Sequence, residues 1–104
     1  MEYEFRDDRL YLHRTAEQKA PLLNRLNRIE GQVRGLRQMI EDDRYCMDEV
    51  QQANAVASAI REVTLLVIAD HLAAGVDFVV KDGDSGAAIR DMMQVLRAAL
   101  RQQP

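Results

Sequence analysis

The sequence predicts an all-α protein of three helices, the second of them long enough to need a partner chain. Of the 104 residues, 47% are hydrophobic and 30% charged, while only 5% are aromatic and proline and glycine number 2 and 5. This composition suits amphipathic helices better than a β-sandwich. Apolar residues also recur at alternating spacings of four and three, which is typical of a helix packed along another helix. A single domain of this size has a small core that assembly would supplement.

The first 18 residues are polar, and we expect them to form a flexible, solvated tail before a single helical domain over residues 19–104. The tail lacks the basic start and apolar run of a secretory signal. No segment approaches the roughly 18 uninterrupted apolar residues of a membrane span. We therefore expect a soluble, cytoplasmic protein with no membrane partner, whose single cysteine stays reduced.

The first helix is predicted from about Pro21 to Asp42. Its apolar residues form a heptad stripe of Leu22, Leu26, Ile29, Val33, Leu36 and Ile40. The stretch from Lys19 to Arg37 carries a net charge of +4, although the whole chain carries −3. A basic stripe on a rigid helix could follow DNA phosphates, although such a stripe is more often only a solvated face. The candidate DNA contacts are Arg25, Arg28, Arg34 and Arg37, with Arg61 on the second helix.

The second helix is predicted from about Tyr45 to Val79, after a polar link at residues 42–44. At ~50 Å it is too long for one chain of this size to cover. One face repeats the four-three spacing through Cys46, Val50, Ala53, Ala57, Ile60, Thr64, Val67 and His71. A turn follows over residues 81–86. The last helix buries Ile89, Met92, Met93, Leu96 and Leu100 and frays at residues 102–104.

Cys46 and His71 share this face but cannot meet within one helix. They are 25 residues apart, which is close to a whole number of turns and spans ~37 Å. An antiparallel copy of the helix would place Cys46 of one chain beside His71 of the other, twice by symmetry. The helix N-terminus also favours the thiolate form of Cys46. The pattern predicts a soft-metal or thiol-reactive site between subunits, against the simpler interpretation of a buried cysteine and a hydrogen-bonded core histidine.

Two further residues are weaker candidates, and enzymatic motifs are absent. His13 could fold over the site as another ligand, although an exposed residue is the simpler interpretation. Asp91 precedes the predicted buried pair Met92 and Met93 and could reach inward, although it could equally be an exposed acid near the helix start. The sequence has no Gly-rich phosphate loop, serine elbow or HExxH motif. We therefore expect a protein that is not an enzyme.

Two segments, LNRIEGQVRGLRQMIEDDRYCMDEV and IREVTLLVIADHL, resemble the CsoR/RcnR family of bacterial, ligand-responsive transcriptional repressors. The likeness extends from about Ala20 to Arg101. It implies three-helix chains that form antiparallel dimers and then tetramers. It also implies that the empty protein binds operator DNA and that ligand binding releases it.

The resemblance assigns roles residue by residue. Cys46 matches the family's thiolate ligand and His71 its imidazole ligand, while Tyr45 and Asp91 match positions that connect the ligand histidine to the last helix. Arg25 matches a DNA-contacting arginine. Glu62 stands where some members have another basic residue, with Arg61 beside it.

Gly75 departs from the family pattern, because related sensors carry a cysteine or histidine ligand there. Cu(I) tolerates low coordination and prefers thiolate, so it is the leading ligand. Zn²⁺ or Ni²⁺ would need further ligands from His13, a tail carboxylate, a backbone group or water. Two alternatives stay open: a sensor of formaldehyde or another electrophile that uses Cys46 as nucleophile, and a helical assembly protein that senses nothing.

Overall fold

The computed structural model describes residues 2–82 and 85–101. The chain begins with two strands, β1 (Glu2–Arg6) and β2 (Arg9–His13), and continues with three helices, α1 (Ala16–Glu41), α2 (Cys46–Asp82) and α3 (Ser85–Arg101). The three helices and the long central one are as predicted. The predicted turn at residues 81–86 and the fraying at 102–104 lie partly or wholly outside the described residues.

The strands form an antiparallel hairpin, so the expectation of a flexible tail is wrong for residues 2–13. Arg6 pairs with Arg9 across a two-residue turn in which Asp7 and Asp8 both have positive φ (51° and 59°), the geometry of a tight hairpin turn. One face of the hairpin points inward, with Leu10 buried and Tyr3, Phe5 and Leu12 half-buried. Strand alternation therefore hides the apolar half of a segment whose overall composition is polar.

The inner face of the hairpin packs on the distal part of α2 and on α3. The ring of Phe5 stacks on that of Phe78 with centroids 4.7 Å apart, and Tyr3 meets Phe78 edge-on at 6.4 Å. The Tyr3 hydroxyl donates a hydrogen bond to Asp77 Oδ2 at 2.5 Å. Leu10, Ala74, Phe78 and Ala88 form the buried cluster under the hairpin. The N-terminal segment is thus part of the core.

Helix α1 begins five residues before the predicted start at Pro21. Thr15 and Gln18 form a capping box: the Thr15 side chain accepts from the Gln18 amide, and the Gln18 side chain accepts from the Thr15 amide. These bonds satisfy the free N–H groups that start a helix, so Pro21 lies inside it. At the other end Asp43 has φ 52°, and bonds from Asp43 and Arg44 back to the last turn close a Schellman motif.

Helices α1 and α2 pack antiparallel. The Gln52 side-chain amide donates to the carbonyl of Gln32, and Ala59 lies beside Ile29. The half-buried face of α2 along this stretch consists of Gln52, Val56, Ala59, Val63 and Leu66. The neighbouring face, from Cys46 to Val67, is not the one that packs on α1.

Helix α2 is long and apolar enough, by length and composition alone, to cross a membrane. An 18-residue window has mean hydropathy 1.9, and only 22% of it is buried. The core helix of a soluble protein passes the same test, which makes it weak evidence for a span. Within one chain Val50, Ile60, Leu65, Val67 and Val76 are 39–58% exposed. A long apolar surface on α2 is therefore left uncovered by the described residues of one chain.

Candidate metal and DNA sites

Cys46 is the first residue of α2 and its thiol is exposed and free. The residue before it, Tyr45, caps the helix through its carbonyl, which accepts from the amides of Asp48 and Glu49 at 3.0 and 3.3 Å. The Tyr45 side chain is itself 69% exposed. Neither side chain is buried inside the chain, so the interpretation of Cys46 as a core residue of the isolated chain is wrong.

His71 is buried near the other end of α2 and contacts Asp91 of α3. Its Nε2 lies 2.6 Å from Asp91 Oδ2, and only 9% of His71 and 6% of Asp91 are exposed. A neutral imidazole protonated at Nε2 donates this hydrogen bond and keeps its lone pair on Nδ1. Ligand histidines commonly hold their second nitrogen against a carboxylate in this way. In that tautomer Nδ1 of His71 is the nitrogen that is not engaged by Asp91.

The same carboxylate oxygen of Asp91 also accepts a hydrogen bond from the hairpin. The amide of Leu10 lies 3.3 Å from Asp91 Oδ2. An open cleft reaches His71 beside this contact, lined by Arg9, Leu10, Tyr11, His71, Asp91, Gln94, Val95 and Ala98. Asp91 thus connects the histidine of α2, the last helix and β2. The alternative of an exposed acid near the helix start is wrong for Asp91.

Gly75, one turn after His71, is buried against Met92. A Cβ placed on Gly75 would lie 2.5 Å from Met92 Sδ and 2.9 Å from Met92 Cγ. The methionine thioether therefore occupies the space into which a side chain at position 75 would project. This complementarity explains how glycine is accommodated in the middle of a long helix despite its low helix propensity.

The structure does not bring Cys46 and His71 together within the chain. They lie on one continuous face of α2, of which Cys46, Val50, Ala53, Ala57, Ile60 and Val67 are exposed. His13 is on the outer face of the hairpin, where its Nε2 lies 3.4 Å from Glu4 Oε1, so it points away from the core side that holds His71. Within residues 2–82 and 85–101 of one chain, no three His, Cys, Asp or Glu side chains form a group that could hold a metal ion.

The candidate DNA-contacting arginines divide between two faces of α1. Arg25 and Arg28 lie together at a cleft lined also by Ile29, Gln32 and Ala59. Arg34 is nine residues beyond Arg25, which is about two and a half turns, so it lies on the opposite side of the helix. Arg37 pairs with Glu41 at 3.5 Å. Arg61 and Glu62 are both exposed on α2.

Comparison with known proteins identifies the family. Residues 18–98 match the model of a family described as metal-sensitive transcriptional repressors. The chain belongs to this metal-sensitive repressor family. Its members are transcriptional repressors rather than enzymes, as predicted from the sequence. The resemblance to the CsoR/RcnR repressors is thereby confirmed.

Proteins similar to this chain include copper-sensing repressors and a nickel-responsive regulator. The chain is 41% identical over 85 residues to the copper-sensing repressor CsoR of Bacillus subtilis, covering 82% of this chain and 84% of that one. The Cu(I)-bound CsoR structure from Geobacillus thermodenitrificans superposes with a TM-score of 0.75 at 36% identity, covering 84% and 91%. The nickel-responsive regulator InrS also gives 0.75, at 26% identity, covering 86% and 97%.

Two contributors to the site were not recognised from the sequence. The hydrogen bond from Leu10 depends on the hairpin, whose signal was the alternation of Tyr3, Phe5, Leu10 and Leu12 around Asp7 and Asp8. The contact of Met92 with Gly75 joins residues of two different helices, and no local pattern in the repressor's sequence indicates it.

Proposed function

We propose that this repressor binds operator DNA when empty and releases it when Cu(I) binds between two copies, at Cys46 of one and His71 of the other. The observation that carries the proposal is the arrangement of α2. An exposed thiol starts an apolar face, and a histidine oriented through Asp91 ends it, ~37 Å away. An antiparallel copy on this face would cover the exposed apolar residues and pair the two ligands.

The ligand chemistry supports Cu(I) over other metals. A thiolate and an imidazole form a soft donor pair, and Cu(I) accepts such low coordination. Zn²⁺ and Ni²⁺ would require additional donors, which neither Gly75 nor the outward-facing His13 supplies in the described chain. The similar proteins named as copper sensors point the same way.

The hydrogen bonds around Asp91 supply a route from ligand to quaternary shape. His71 Nε2 and the Leu10 amide both contact Oδ2 of Asp91. A shift of the imidazole would therefore alter the contacts of α3 and of the hairpin together. Tyr45 lies next to Cys46 and would sit near His71 of the second copy. We propose that Tyr45 and Asp91, through their contacts with His71, couple metal binding to the arrangement of the subunits.

The DNA surface is proposed to centre on Arg25 and Arg28 in each of the copies. These side chains lie together beside α2, and assembly into a homodimer or homotetramer would repeat them at fixed spacing. Arg34 and Arg37, on the opposite side of α1, and Arg61 on α2 would add contacts to the phosphate backbone. We place the protein in the cytoplasm, where it would meet its operator.

A thiol-electrophile sensor is the second candidate, favoured by the exposure of the Cys46 thiol and by the lack of a side-chain donor at Gly75. In such a sensor Cys46 would attack a small aldehyde such as formaldehyde, and no metal would be needed.

The experiment is an anaerobic titration of reduced protein, bound to fluorescent DNA from its own promoter region, with Cu(I), Ni²⁺, Zn²⁺ and formaldehyde in separate arms. Release by Cu(I) that is lost in Cys46→Ala and in His71→Ala supports the proposal. His13→Ala is the matched control and should respond like the unmodified protein. Release by Cu(I) that survives in both site variants would overturn the proposal, while release by formaldehyde alone would favour the electrophile sensor.

A further inference from the structure

The proposed site lacks an assigned third ligand. Related sensors carry that ligand at position 75, and Gly75 has no side chain to supply it. His71 and Gly75 lie one turn apart on α2. On α3 the consecutive residues Asp91 and Met92 meet these same two positions, Asp91 at His71 and Met92 at Gly75. The α2–α3 contact therefore places a thioether against the position one helical turn after the histidine that is proposed to bind copper.

The thioether is placed where a ligand side chain at position 75 would otherwise project. A Cβ on Gly75 would lie 2.5 Å from Met92 Sδ, so the sulfur packs closely against the backbone of α2 at Gly75. Met92 is half-buried, whereas its neighbour Met93 is 41% exposed. Glycine at 75 is thus the condition that lets a sulfur from the opposite helix approach this point.

We propose that Met92 Sδ is the third Cu(I) ligand, completing a site with Cys46 of the second copy and His71. This inference rests on the proposed function. A thioether is a soft donor that suits Cu(I), and it is a poor partner for the harder Zn²⁺ and Ni²⁺. A third ligand on α3 in place of one on α2 would therefore favour Cu(I) and chemically similar monovalent ions over Zn²⁺ and Ni²⁺.

The ligand would also tie the metal directly to α3. With His71 alone, α3 senses the metal only through the hydrogen bond to Asp91. With Met92 as ligand, α3 contributes a metal bond and a hydrogen bond from adjacent residues. Methionine as a mere core filler is the competing interpretation, since methionine fits irregular gaps. A leucine of similar volume would fill the gap equally well but could not bind copper.

The first test compares Met92→Leu with Met93→Leu and Cys46→Ala in the full-length protein. Anaerobic competition with a chromophoric Cu(I) chelator measures affinity, and circular dichroism verifies the fold. We expect Met92→Leu to weaken Cu(I) binding by roughly tenfold or more, at least the loss seen when an outer partner of a ligand is removed. Met93→Leu should bind as the unmodified protein does.

The second test needs no substitution. In protein grown with selenomethionine, X-ray absorption at the copper edge should show one copper–selenium distance in addition to one copper–sulfur distance. Absence of the selenium signal, or equal affinity of Met92→Leu and Met93→Leu, would overturn the role of Met92. If Cys46→Ala abolishes binding in the same series, the copper sensor itself stands. If the unmodified protein binds no Cu(I) tightly, the proposed function and this inference both fail.

Discussion

Replacing Gly75 with alanine tests the packing of α2 on α3, because the added methyl group must displace the side chain of Met92. The added Cβ would lie 2.5 Å from Met92 Sδ, 2.9 Å from Cγ and 3.1 Å from Cε. Relaxed contacts between such atoms lie at about 3.5–4.0 Å, so the sulfur must move by about 1 Å or more. Because Cγ is also too close, rotation of the terminal methyl group alone cannot relieve the contact.

The magnitude follows from two opposing terms. Overpacking of this kind costs about 1–3 kcal/mol. Alanine in place of glycine inside a helix regains about 0.5–1 kcal/mol. The difference between the two terms spans about 0–2.5 kcal/mol, so we expect Gly75→Ala to lower the free energy of unfolding by about 1 kcal/mol.

Gly31→Ala is the matched control. Gly31 lies inside α1, and a Cβ there would meet only the tip of Arg34, at 3.7 Å. It should gain the backbone term without the packing cost, so the two glycine variants should differ by the overpacking energy. Urea unfolding at one fixed protein concentration measures this difference, which corresponds to roughly 1 M or more between midpoints at ~1 kcal/mol/M.

The packing of Gly75 can be tested further by relieving the contact. Adding Met92→Ala to Gly75→Ala should cost less than the sum of the two single changes, because the shortened side chain no longer meets the new Cβ. Equal stability of Gly75→Ala and Gly31→Ala would refute the close approach of Met92 to α2.

Three further outcomes are expected. Asp91→Leu should cost about 2–4 kcal/mol in urea unfolding, because it leaves the His71 N–H unpaired, and Asp91→Asn should cost less; equal costs would contradict this. In the unmodified protein the hydrogen bond to Tyr3 lowers the pKa of Asp77 below 3.8, and the bond to Asp77 raises the pKa of Tyr3 to about 12. This bond therefore stabilises the fold fully between about pH 4 and pH 10. Its contribution is lost as the pH falls through the folded-state pKa of Asp77 or rises through that of Tyr3. Tyr3→Phe should therefore make Tm depend less on pH at both the acidic and the alkaline end. Arg25→Ala should weaken operator binding and reduce the salt slope by about 0.9 for each copy whose Arg25 contacts a phosphate, whereas an unchanged slope would remove Arg25 from the phosphate contacts.

The helices and the shared face of α2 could be predicted from sequence because they depend on local periodicity. The four-three spacing located α1 and α2, and the 25-residue offset placed Cys46 and His71 on one stripe. The start of α1 was misplaced because Pro21 was taken as its first turn, whereas the capping box at Thr15 and Gln18 begins the helix. The capping hydrogen bonds determine where the helix starts, and Pro21 is tolerated within its early turns.

The hairpin and the surroundings of His71 were harder to predict because they depend on contacts between distant segments. Charged residues on the outer face concealed the inward alternation of Tyr3, Phe5 and Leu10. The apolar character of α2 was underestimated by counting uninterrupted runs. The approach of Met92 to Gly75 requires the relative position of two helices, which no spacing within either helix determines.

The most direct test of the central proposal is complementation between two defective chains. Cys46→Ala and His71→Ala, carrying different affinity tags, are co-expressed, and oligomers containing both are isolated. A site between subunits is intact wherever Cys46 of one chain meets His71 of the other, so mixed oligomers should bind up to one Cu(I) per two chains and release DNA, although neither variant alone does. Mixed oligomers that bind no more Cu(I) than the separate variants would contradict a site shared between subunits.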